Sequence, residues 1–209
     1  MNGYPLKIIG LANRTKMRIS SGETEPDDSA LVAWAAKGRV DSFKILVSRY
    51  RNQAYFFARG MVGNSEDAYD LSQEAFIRVH RHLKRYDPAY SFKSWFFHIL
   101  SNLCKNHLRH KKVRARHTTS LETAPIIADA SEKQPDIAYQ RSEIQQKVWE
   151  AIGELPDNFR EIIILSHFQE MSYEQMARVL GIPTGSVMSR LYYARRKLRE
   201  ILEKRGVSL

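Results

Sequence analysis

The stretch from residue 171 to residue 202 constrains the fold more than any other, because it predicts two helices joined at a tight turn. Ser172 and Gln175 have the spacing of a capping box, in which each side chain satisfies a backbone amide at a helix start. Gly181 favours a helix end, since glycine adopts positive φ without strain, and Pro183 fits the start of the next helix. The pattern indicates a helix-turn-helix.

The second of these helices has one apolar and one polar face. Apolar residues recur at steps of three and four and predict a buried stripe: Val187, Leu191, Ala194, Leu198 and Ile201. The opposite face carries hydroxyl, cationic and aromatic groups suited to a DNA major groove: Ser186, Ser189, Arg190, Tyr193, Arg196 and Lys197. From this pattern alone, an ordinary helical hairpin with a solvated basic face is the alternative.

Excess positive charge across the chain favours a polyanionic partner. Lys and Arg number 33 against 23 acidic residues, a formal net charge of +10, so nucleic acid is the first candidate and an acidic membrane surface the second. No apolar run approaches the roughly 20 residues of a membrane span, and the N-terminus lacks a signal peptide's apolar core. The single cysteine, Cys104, is compatible with a reducing compartment. We therefore expect a cytoplasmic protein without membrane insertion.

Helical periodicity elsewhere predicts an all-α chain of two small domains. The periodicity begins near Asp28, vanishes between about residues 113 and 134, and returns at Ile137. Turn formers, prolines and small residues fill the gap, which favours a flexible linker. The predicted organisation is a disordered arm at 1–26, a helical domain at 27–113, a linker at 114–136 and a helix-turn-helix domain at 137–205.

Within the first domain, the second helix is expected to begin with Asp41 as its N-cap, and Asn64 or Ser65 is expected to cap the third helix. The third helix has a mixed outer face of acidic, amide and apolar side chains, which comprises Asp70, Gln73, Glu74, Ile77 and Arg78. A solvated helix surface and a protein-docking face both fit this composition.

The sign of the charge changes after this third helix. Between Lys84 and Arg116 the chain has nine Lys or Arg residues and one acid, Asp87. The segment opens with a loop that holds Tyr86, Tyr90 and Phe92 and continues as a helix. The predicted buried side of that helix is Trp95, Ile99, Leu103 and Leu108, and a polar stripe of His98, Ser101, Lys105, Arg109 and Lys112 lies next to Asn102 and Asn106. Aromatic rings beside a basic groove suit unstacked single-stranded bases, and a solvated basic face is the alternative.

Three segments, taken together, resemble a known family. DLSQEAFIRVHRHL, SFKSWFFHILSNLCKNHLRHKK and LPDNFREIIILSHFQEMSYEQMARVLGIPTGSVMSRLYYARRKL are similar, in this order, to the extracytoplasmic-function sigma factors of bacterial RNA polymerase. The resemblance covers nearly all of residues 28–202. It implies a transcription initiation factor that recruits core RNA polymerase to promoters, reads the minus thirty-five element as duplex and melts the minus ten element.

The resemblance also implies roles for three sets of residues. Contacts with the clamp coiled coil of the largest polymerase subunit fall on Asp70, Gln73, Glu74 and Ile77, and the polymerase flap is a further implied contact. Contacts with the minus ten element fall on Tyr86, Tyr90, Ser91, Phe92, Trp95, Asn102, Lys105, Asn106, Arg109 and Lys112. Contacts with the minus thirty-five element fall on Ser186, Met188, Ser189, Arg190, Tyr192, Tyr193 and Arg196. An anti-sigma factor is a further implied partner.

Two other classes of function have less support in the sequence. An autonomous helix-turn-helix regulator usually needs a symmetric dimer, and the sequence has no long heptad run for one. An enzyme would need a metal-binding cluster, a phosphate loop or a nucleophile motif, and none is present. We expect no enzymatic activity, cofactor, metal or small-molecule substrate. Histidines in basic surroundings are expected at the surface rather than as metal ligands: His80, His82, His107 and His110.

Overall fold

The computed structural model describes residues 26–117 and 143–207, and within these ranges it contains helices and no strand. The first half comprises α1 (Asp28–Ala36), α2 (Val40–Val62), α3 (Ser65–His82), a 3-10 turn (Leu83–Arg85) and α4 (Phe92–His117). The second half comprises α5 (Glu143–Glu154), α6 (Asp157–His167), α7 (Tyr173–Leu180) and α8 (Thr184–Lys204). The all-α prediction is confirmed. The predicted arm, apart from Pro26, and most of the predicted linker lie outside the described residues.

Helix ends follow from local side-chain chemistry. Asn64 caps α3 by accepting a 2.8 Å hydrogen bond from the Asp67 amide, as predicted. Gly63 ends α2 with a φ of 87°, a backbone conformation that favours glycine. The prediction of Asp41 as the N-cap of α2 is wrong, because Arg39 occupies that position and Asp41 lies in the first turn. There its carboxylate still opposes the positive end of the helix dipole.

The first half is built around α2, whose inward face packs against α3 and α4. Leu46, Phe57 and Met61 on this face are fully buried. The Tyr50 hydroxyl donates a hydrogen bond to Asp28, which also forms a 2.8 Å ion pair with Arg49 and so ties α1 to α2. Burial, and then Asp28, raise the pKa of Tyr50. This core fixes the start of α4.

The second half brings α6 and α7 against α8. The predicted stripe of α8 is confirmed, since Val187, Leu191, Ala194, Leu198 and Ile201 are all buried. At the far end of α8, the Arg205 guanidinium donates hydrogen bonds to Glu150 and Glu154 of α5. The helices of this half therefore brace α8 from both of its ends.

The two halves also pack against each other, with α4 lying against α7 and α2 lying against α5 and α6. This contact explains an error in the predicted burial of α4. Trp95, Ile99 and Leu108 are only partly buried, while Phe96, Phe97, Leu100 and Cys104 are fully buried. A helix that is covered on two sides buries more than one stripe.

Candidate nucleic-acid interface

The turn before α8 has the local chemistry that the sequence predicts. Ser172 and Gln175 form both hydrogen bonds of the capping box at the start of α7. Gly181 ends α7 with a φ of 65°, and Pro183 is the N-cap of α8. Short-range hydrogen bonds and fixed backbone angles thus set the direction in which α8 leaves the turn.

The outer face of α8 is open to solvent in the described structure. Met188, Tyr192 and Tyr193 have 51%, 65% and 55% of their surfaces exposed. These are large apolar or amphipathic groups that a monomeric fold has no need to leave outside. Ser186, Ser189 and Arg196 are also exposed, and Arg196 lies 3.4 Å from Glu200. The structure therefore brings all of the predicted duplex-contacting residues onto one helix.

Arg190 has a more complex position than the other residues of this face. It is half-buried and lines a cleft of about 490 Å³ between α8, α6 and α4. Lys105, Arg109 and Lys112 of α4 line the same cleft, as do Asp157 and Glu161 of α6. The cleft joins the two sets of predicted DNA-contacting residues.

The outer face of α3 presents a mixed surface. Asp70, Gln73 and Ile77 are exposed, with Ile77 44% exposed, and Glu74 forms a 2.7 Å ion pair with Arg78. Tyr69, which the sequence analysis missed, is 43% exposed. Tyr69 lies four residues before Gln73 and therefore on the same face of the helix, so helical periodicity could have identified it. An exposed isoleucine beside carboxylates is complementary to a partner protein whose surface carries apolar and basic groups.

The loop before α4 is held in shape by its own side chains. The Tyr86 hydroxyl donates a 2.6 Å hydrogen bond to the Tyr90 carbonyl, and the Tyr86 ring lies 5.3 Å from the Trp95 ring. Phe92 is 1% exposed and packs beneath the loop, where its ring meets the core and offers no face for stacking. Tyr90 is 47% exposed and is the loop's outward aromatic ring.

The polar stripe of α4 faces the second half of the molecule, a placement that the sequence did not reveal. Nδ1 of His98 lies 2.9 Å from the Val179 carbonyl, and the Ser101 hydroxyl donates a hydrogen bond to Glu161. Lys105 forms a 3.2 Å ion pair with Glu161, and Lys112 a 2.6 Å pair with Asp157. By contrast Asn102, Asn106 and Arg109 are exposed. Among the predicted single-strand contacts on α4, Lys105 and Lys112 are thus paired with acids of the second half, whereas Asn102, Asn106 and Arg109 face solvent.

Burial changes the acid–base behaviour of three groups near these surfaces. Burial lowers the pKa of Lys93, whose ammonium donates a 2.5 Å hydrogen bond to the Gln169 carbonyl. Burial, and then the charge of Glu161, raise the pKa of Cys104 to about 12, so its thiol stays protonated and unreactive at neutral pH. Burial and the neighbouring Arg195 lower the pKa of His167 to about 4, which keeps that imidazole neutral.

Histidine placement differs from the prediction in two cases. His80 and His110 are exposed as expected, whereas His82 and His107 are half-buried. Nε2 of His107 lies 3.0 Å from a carboxylate oxygen of Asp67 on α3. That acid is distant in sequence, so the basic surroundings of His107 in the chain concealed it. Across the described ranges, no three His, Cys, Asp or Glu residues gather as metal ligands would. No helix in those ranges has the length and apolar character to cross a membrane.

Two family models match the chain, and relatives of known type match it over most of its length. Sigma-70 region 2 matches residues 46–114, and Sigma-70 region 4 matches residues 145–198. The ECF RNA polymerase sigma factor SigE of Mycolicibacterium smegmatis is 32% identical over 96% of this chain and 77% of that protein. The ECF RNA polymerase sigma factor SigW of Bacillus subtilis is 31% identical over 79% of this chain and 91% of that protein.

A solved structure has a similar arrangement of helices. CnrH in complex with the cytosolic domain of CnrY matches with a TM-score of 0.65 and 25% sequence identity. The match covers 85% of this chain and 97% of the other. The two family matches fall on the two halves described above, one on the half that contains α4 and one on the half that contains α8.

Proposed function

The chain belongs to the extracytoplasmic-function sigma factors of RNA polymerase, which act in transcription initiation, and we propose that it uses α8 for the minus thirty-five element and α4 for the minus ten element. One observation supports this division most strongly. Each half presents a distinct set of groups that suits nucleic acid, a braced outer helix face on α8 and an outward tyrosine before the basic helix α4.

For the minus thirty-five element, we propose that the outer face of α8 enters the major groove. A helix with a buried apolar stripe can present its opposite face at fixed depth and angle, as a recognition helix requires. Arg190 is suited to a base edge, because a guanidinium can pair with the two acceptors of guanine. The other proposed contact residues position the helix or contact base edges, and they comprise Ser186, Met188, Ser189, Tyr192, Tyr193 and Arg196.

For the minus ten element, we propose that the loop before α4 stacks an unpaired base on Tyr90. Extruding a base costs a few kcal/mol, and stacking on an aromatic ring offsets about 1–3 kcal/mol of that. Asn102, Asn106 and Arg109 are exposed along α4. In the proposal, these side chains follow the strand. Tyr86, Ser91, Phe92 and Trp95 give the loop its shape, and Lys105 and Lys112 would add phosphate contacts once their own ion pairs are released.

For core RNA polymerase, we propose that the outer face of α3 docks on the clamp coiled coil, with the flap as a further contact of the second half. The face combines exposed Ile77 and Gln73 with the carboxylates of Asp70 and Glu74. Such a mixture is typical of a specific but reversible protein interface. An anti-sigma factor is a further proposed partner, and the similar protein CnrH was solved with a second protein bound, the cytosolic domain of CnrY. We further propose that the protein acts in the cytoplasm and has no catalytic activity of its own.

In vitro transcription tests this proposal. Purified core polymerase is incubated with a pool of genomic promoters, with and without the full chain, and the transcript starts are sequenced. We expect new starts downstream of a shared two-part motif. If no core-dependent start appears while the chain alone binds a palindromic duplex tightly, an autonomous regulator is the better account.

A further inference from the structure

The loop before α4 meets the core of the protein through two aromatic rings. Tyr86, at its start, is partly buried against the core, and Phe92, at its end, is 1% exposed. The centroids of these two rings are 6.2 Å apart. Tyr90 lies between them in the sequence and carries the ring that the proposed function assigns to an unpaired base. The direction of the Tyr90 ring therefore depends on what holds Tyr86 and Phe92 in place.

A chain of contacts runs from Asp28 of α1 to Phe92 through Tyr50 of α2. The Tyr50 hydroxyl donates a hydrogen bond to Oδ2 of Asp28. The Tyr50 ring meets the Phe92 ring edge to face, with the two centroids 5.2 Å apart, a favourable arrangement of aromatic pairs. Tyr50 is only 7% exposed, so its ring has little room to move. The Asp28 carboxylate thus fixes the support of Phe92.

The second carboxylate oxygen of Asp28 is also engaged. The Arg49 guanidinium donates a 2.8 Å hydrogen bond to Oδ1 of Asp28 and another of 2.8 Å to the Pro26 carbonyl. Hydrogen bonds between charged groups are stronger than neutral ones, and two of them from one guanidinium fix its geometry. Two adjacent residues of α2 therefore hold the Asp28 carboxylate in one position.

Asp28 acts on the other ring, Tyr86, through its charge. Helix α1 packs against the 3-10 turn that precedes the loop, and also against α4. Burial, and then the negative charge of Asp28, raise the pKa of Tyr86. The protonated form is the one that the loop requires, because the Tyr86 hydroxyl donates a 2.6 Å hydrogen bond to the Tyr90 carbonyl.

Capping of α1 does not require Asp28. The N-cap is Asp27, whose side chain accepts a 2.7 Å hydrogen bond from the Ala30 amide. The Asp28 carboxylate instead faces the hydroxyl of Tyr50 and the guanidinium of Arg49. The contacts of Asp28 thus lead towards the loop rather than to the backbone of its own helix.

We propose that Asp28 is a positioning residue for strand capture, which holds the rings of Tyr86 and Phe92 from beneath the loop. It thereby sets the direction in which the Tyr90 ring meets an unpaired base. Asp28 acts through other residues and does not itself contact DNA. A ring that is already in position loses less conformational freedom when a base stacks on it. The inference rests on the proposed function, because it takes Tyr90 as the stacking ring.

Two substitutions remove the proposed support, and a third is the matched control. Asp28→Ala removes both side-chain contacts and leaves the cap at Asp27 in place. Tyr50→Phe keeps the ring beside Phe92 and removes only the hydrogen bond of the hydroxyl, and it serves if Asp28→Ala does not fold. Asp41→Ala removes a carboxylate from the first turn of α2, where the side chain is 89% exposed.

The full-length variants are compared in complex with core polymerase, on a promoter identified by the transcription assay. Permanganate reactivity over time measures opening, and binding of a minus thirty-five duplex by each full-length chain measures the α8 surface. We expect Asp28→Ala to slow opening about fivefold or more and Tyr50→Phe about twofold or more, as is typical of coupled residues in one hydrogen-bond network. Both variants should bind the duplex as wild type does, and Asp41→Ala should match wild type in both assays.

The double variant of Asp28→Ala with Tyr90→Ala separates positioning from a general loss of stability. If Asp28 acts through the Tyr90 ring, adding Asp28→Ala to Tyr90→Ala should slow opening less than about twofold further. A merely structural role would slow opening by the same factor with and without the ring. Circular dichroism and urea denaturation establish that each variant is folded under the assay conditions.

Two results would overturn the inference while the proposed function stands. Asp28→Ala and Tyr50→Phe could both open promoters as wild type does, or the slowing by Asp28→Ala could be equal in the wild-type and Tyr90→Ala backgrounds. Failure of the proposed function looks different. Absence of core-dependent transcription with wild type removes it altogether, and wild-type opening by Tyr90→Ala alone removes the stacking role, together with the inference that rests on it.

Discussion

The two surfaces proposed to bind DNA differ in how they are presented by the same chain. On α8, Tyr192 and Tyr193 are more than half exposed and the buried stripe behind them fixes the helix. On α4, Lys105 and Lys112 are paired with acids of the other half, and Tyr90 lies under Arg178. The difference teaches that a cationic surface is not necessarily free to bind DNA, because acidic residues of the same chain can already be paired with it. Tyr192 and Tyr193 of the proposed duplex-binding surface are open to solvent, whereas Lys105 and Lys112 of the proposed strand-binding surface already have partners.

The largest effect we predict comes from removing the support of the α8 surface. Leu191 is 1% exposed in the buried stripe, so Leu191→Ala should lower the free energy of unfolding by about 2–5 kcal/mol. Urea denaturation measures the change. Met188→Ala, at a position 51% exposed on the opposite face of the same helix, should change the free energy by less than about 0.5 kcal/mol. Equal losses in the two variants would contradict the division of α8 into a buried and a reading face.

Acid should weaken the half that covers α4. His167 stays neutral in the folded protein down to a pKa of about 4, whereas in the unfolded chain it takes up a proton near its ordinary value of 6.5. Between these values the unfolded state binds more protons, so stability falls as pH decreases, by at most about 3 kcal/mol from this group.

The acid effect is measured by urea denaturation at a series of pH values. His167→Gln should flatten the dependence between pH 6.5 and about 4, since the substitution removes the titrating group. His110→Gln makes the same substitution at an exposed position of α4 and is the matched comparison. If the stability of His167→Gln fell as steeply with decreasing pH as that of wild type, His167 would not be the cause of the acid effect.

The substitution Arg190→Ala tests the surface of α8 that is proposed to bind duplex DNA. Arg190→Ala should reduce discrimination between promoter sequences by about 1–3 kcal/mol, because a guanidinium that reads a base edge contributes that much. Binding to minus thirty-five duplexes with single-base changes measures it. Arg196→Ala is the comparison, because Arg196 is already engaged with Glu200 at 3.4 Å and should affect all sequences alike. A uniform loss for Arg190→Ala would instead identify it as a phosphate contact.

The substitution Tyr90→Ala tests the surface of α4 and its preceding loop that is proposed to bind single-stranded DNA. Tyr90→Ala should slow promoter opening by the equivalent of about 1–3 kcal/mol, the contribution of stacking one base on an aromatic ring. Permanganate footprinting follows the opening, while duplex binding by α8 should be unaffected. Tyr90→Phe keeps the ring and should open promoters as wild type does. Wild-type reactivity of Tyr90→Ala would contradict a stacking role.

The smallest predicted effect concerns the exposed outer face of α3. Gln73→Ala should weaken binding of core polymerase by about 1 kcal/mol, as truncation of a single interface residue outside a hot spot typically does. Copurification and fluorescence titration with core polymerase measure it. Arg51→Ala, on the exposed surface of α2, is a control. Binding of core polymerase by Gln73→Ala as tight as that of wild type would contradict a docking role for the outer face of α3.

Local signals made most helix ends and the α8 surface predictable. The capping box at Ser172, the glycine at 181 and the stripe behind α8 depend on neighbours within a few residues, so the sequence displays them directly. Asp41 shows the limit of such signals, since a good capping residue one position inside the helix leaves the cap to Arg39.

Contacts between distant residues account for what the sequence concealed. In the sequence, Glu161 is indistinguishable from an ordinary exposed polar residue of α6. In the structure it is buried against Ser101, which lies 60 residues earlier in the chain. The extra burial of Phe96, Phe97 and Leu100 has the same origin, because a periodicity argument assumes that one face of α4 meets one core. The packing of the two halves depends on their relative position, and a local sequence pattern carries no information about that position.

Carbodiimide cross-linking of Lys112 to Asp157 tests the central claim most directly. Their charged atoms are 2.6 Å apart in this structure, one residue belongs to each half, and both side chains are solvent-accessible. The account predicts this link in the free chain and its loss in the complex with core polymerase and promoter DNA. The link between Lys197 and Glu200 within α8, 3.3 Å apart, should form in the free chain as an internal standard. A Lys112–Asp157 link that persists in the initiating complex, or that never forms in the free chain while the α8 link does, would contradict the account.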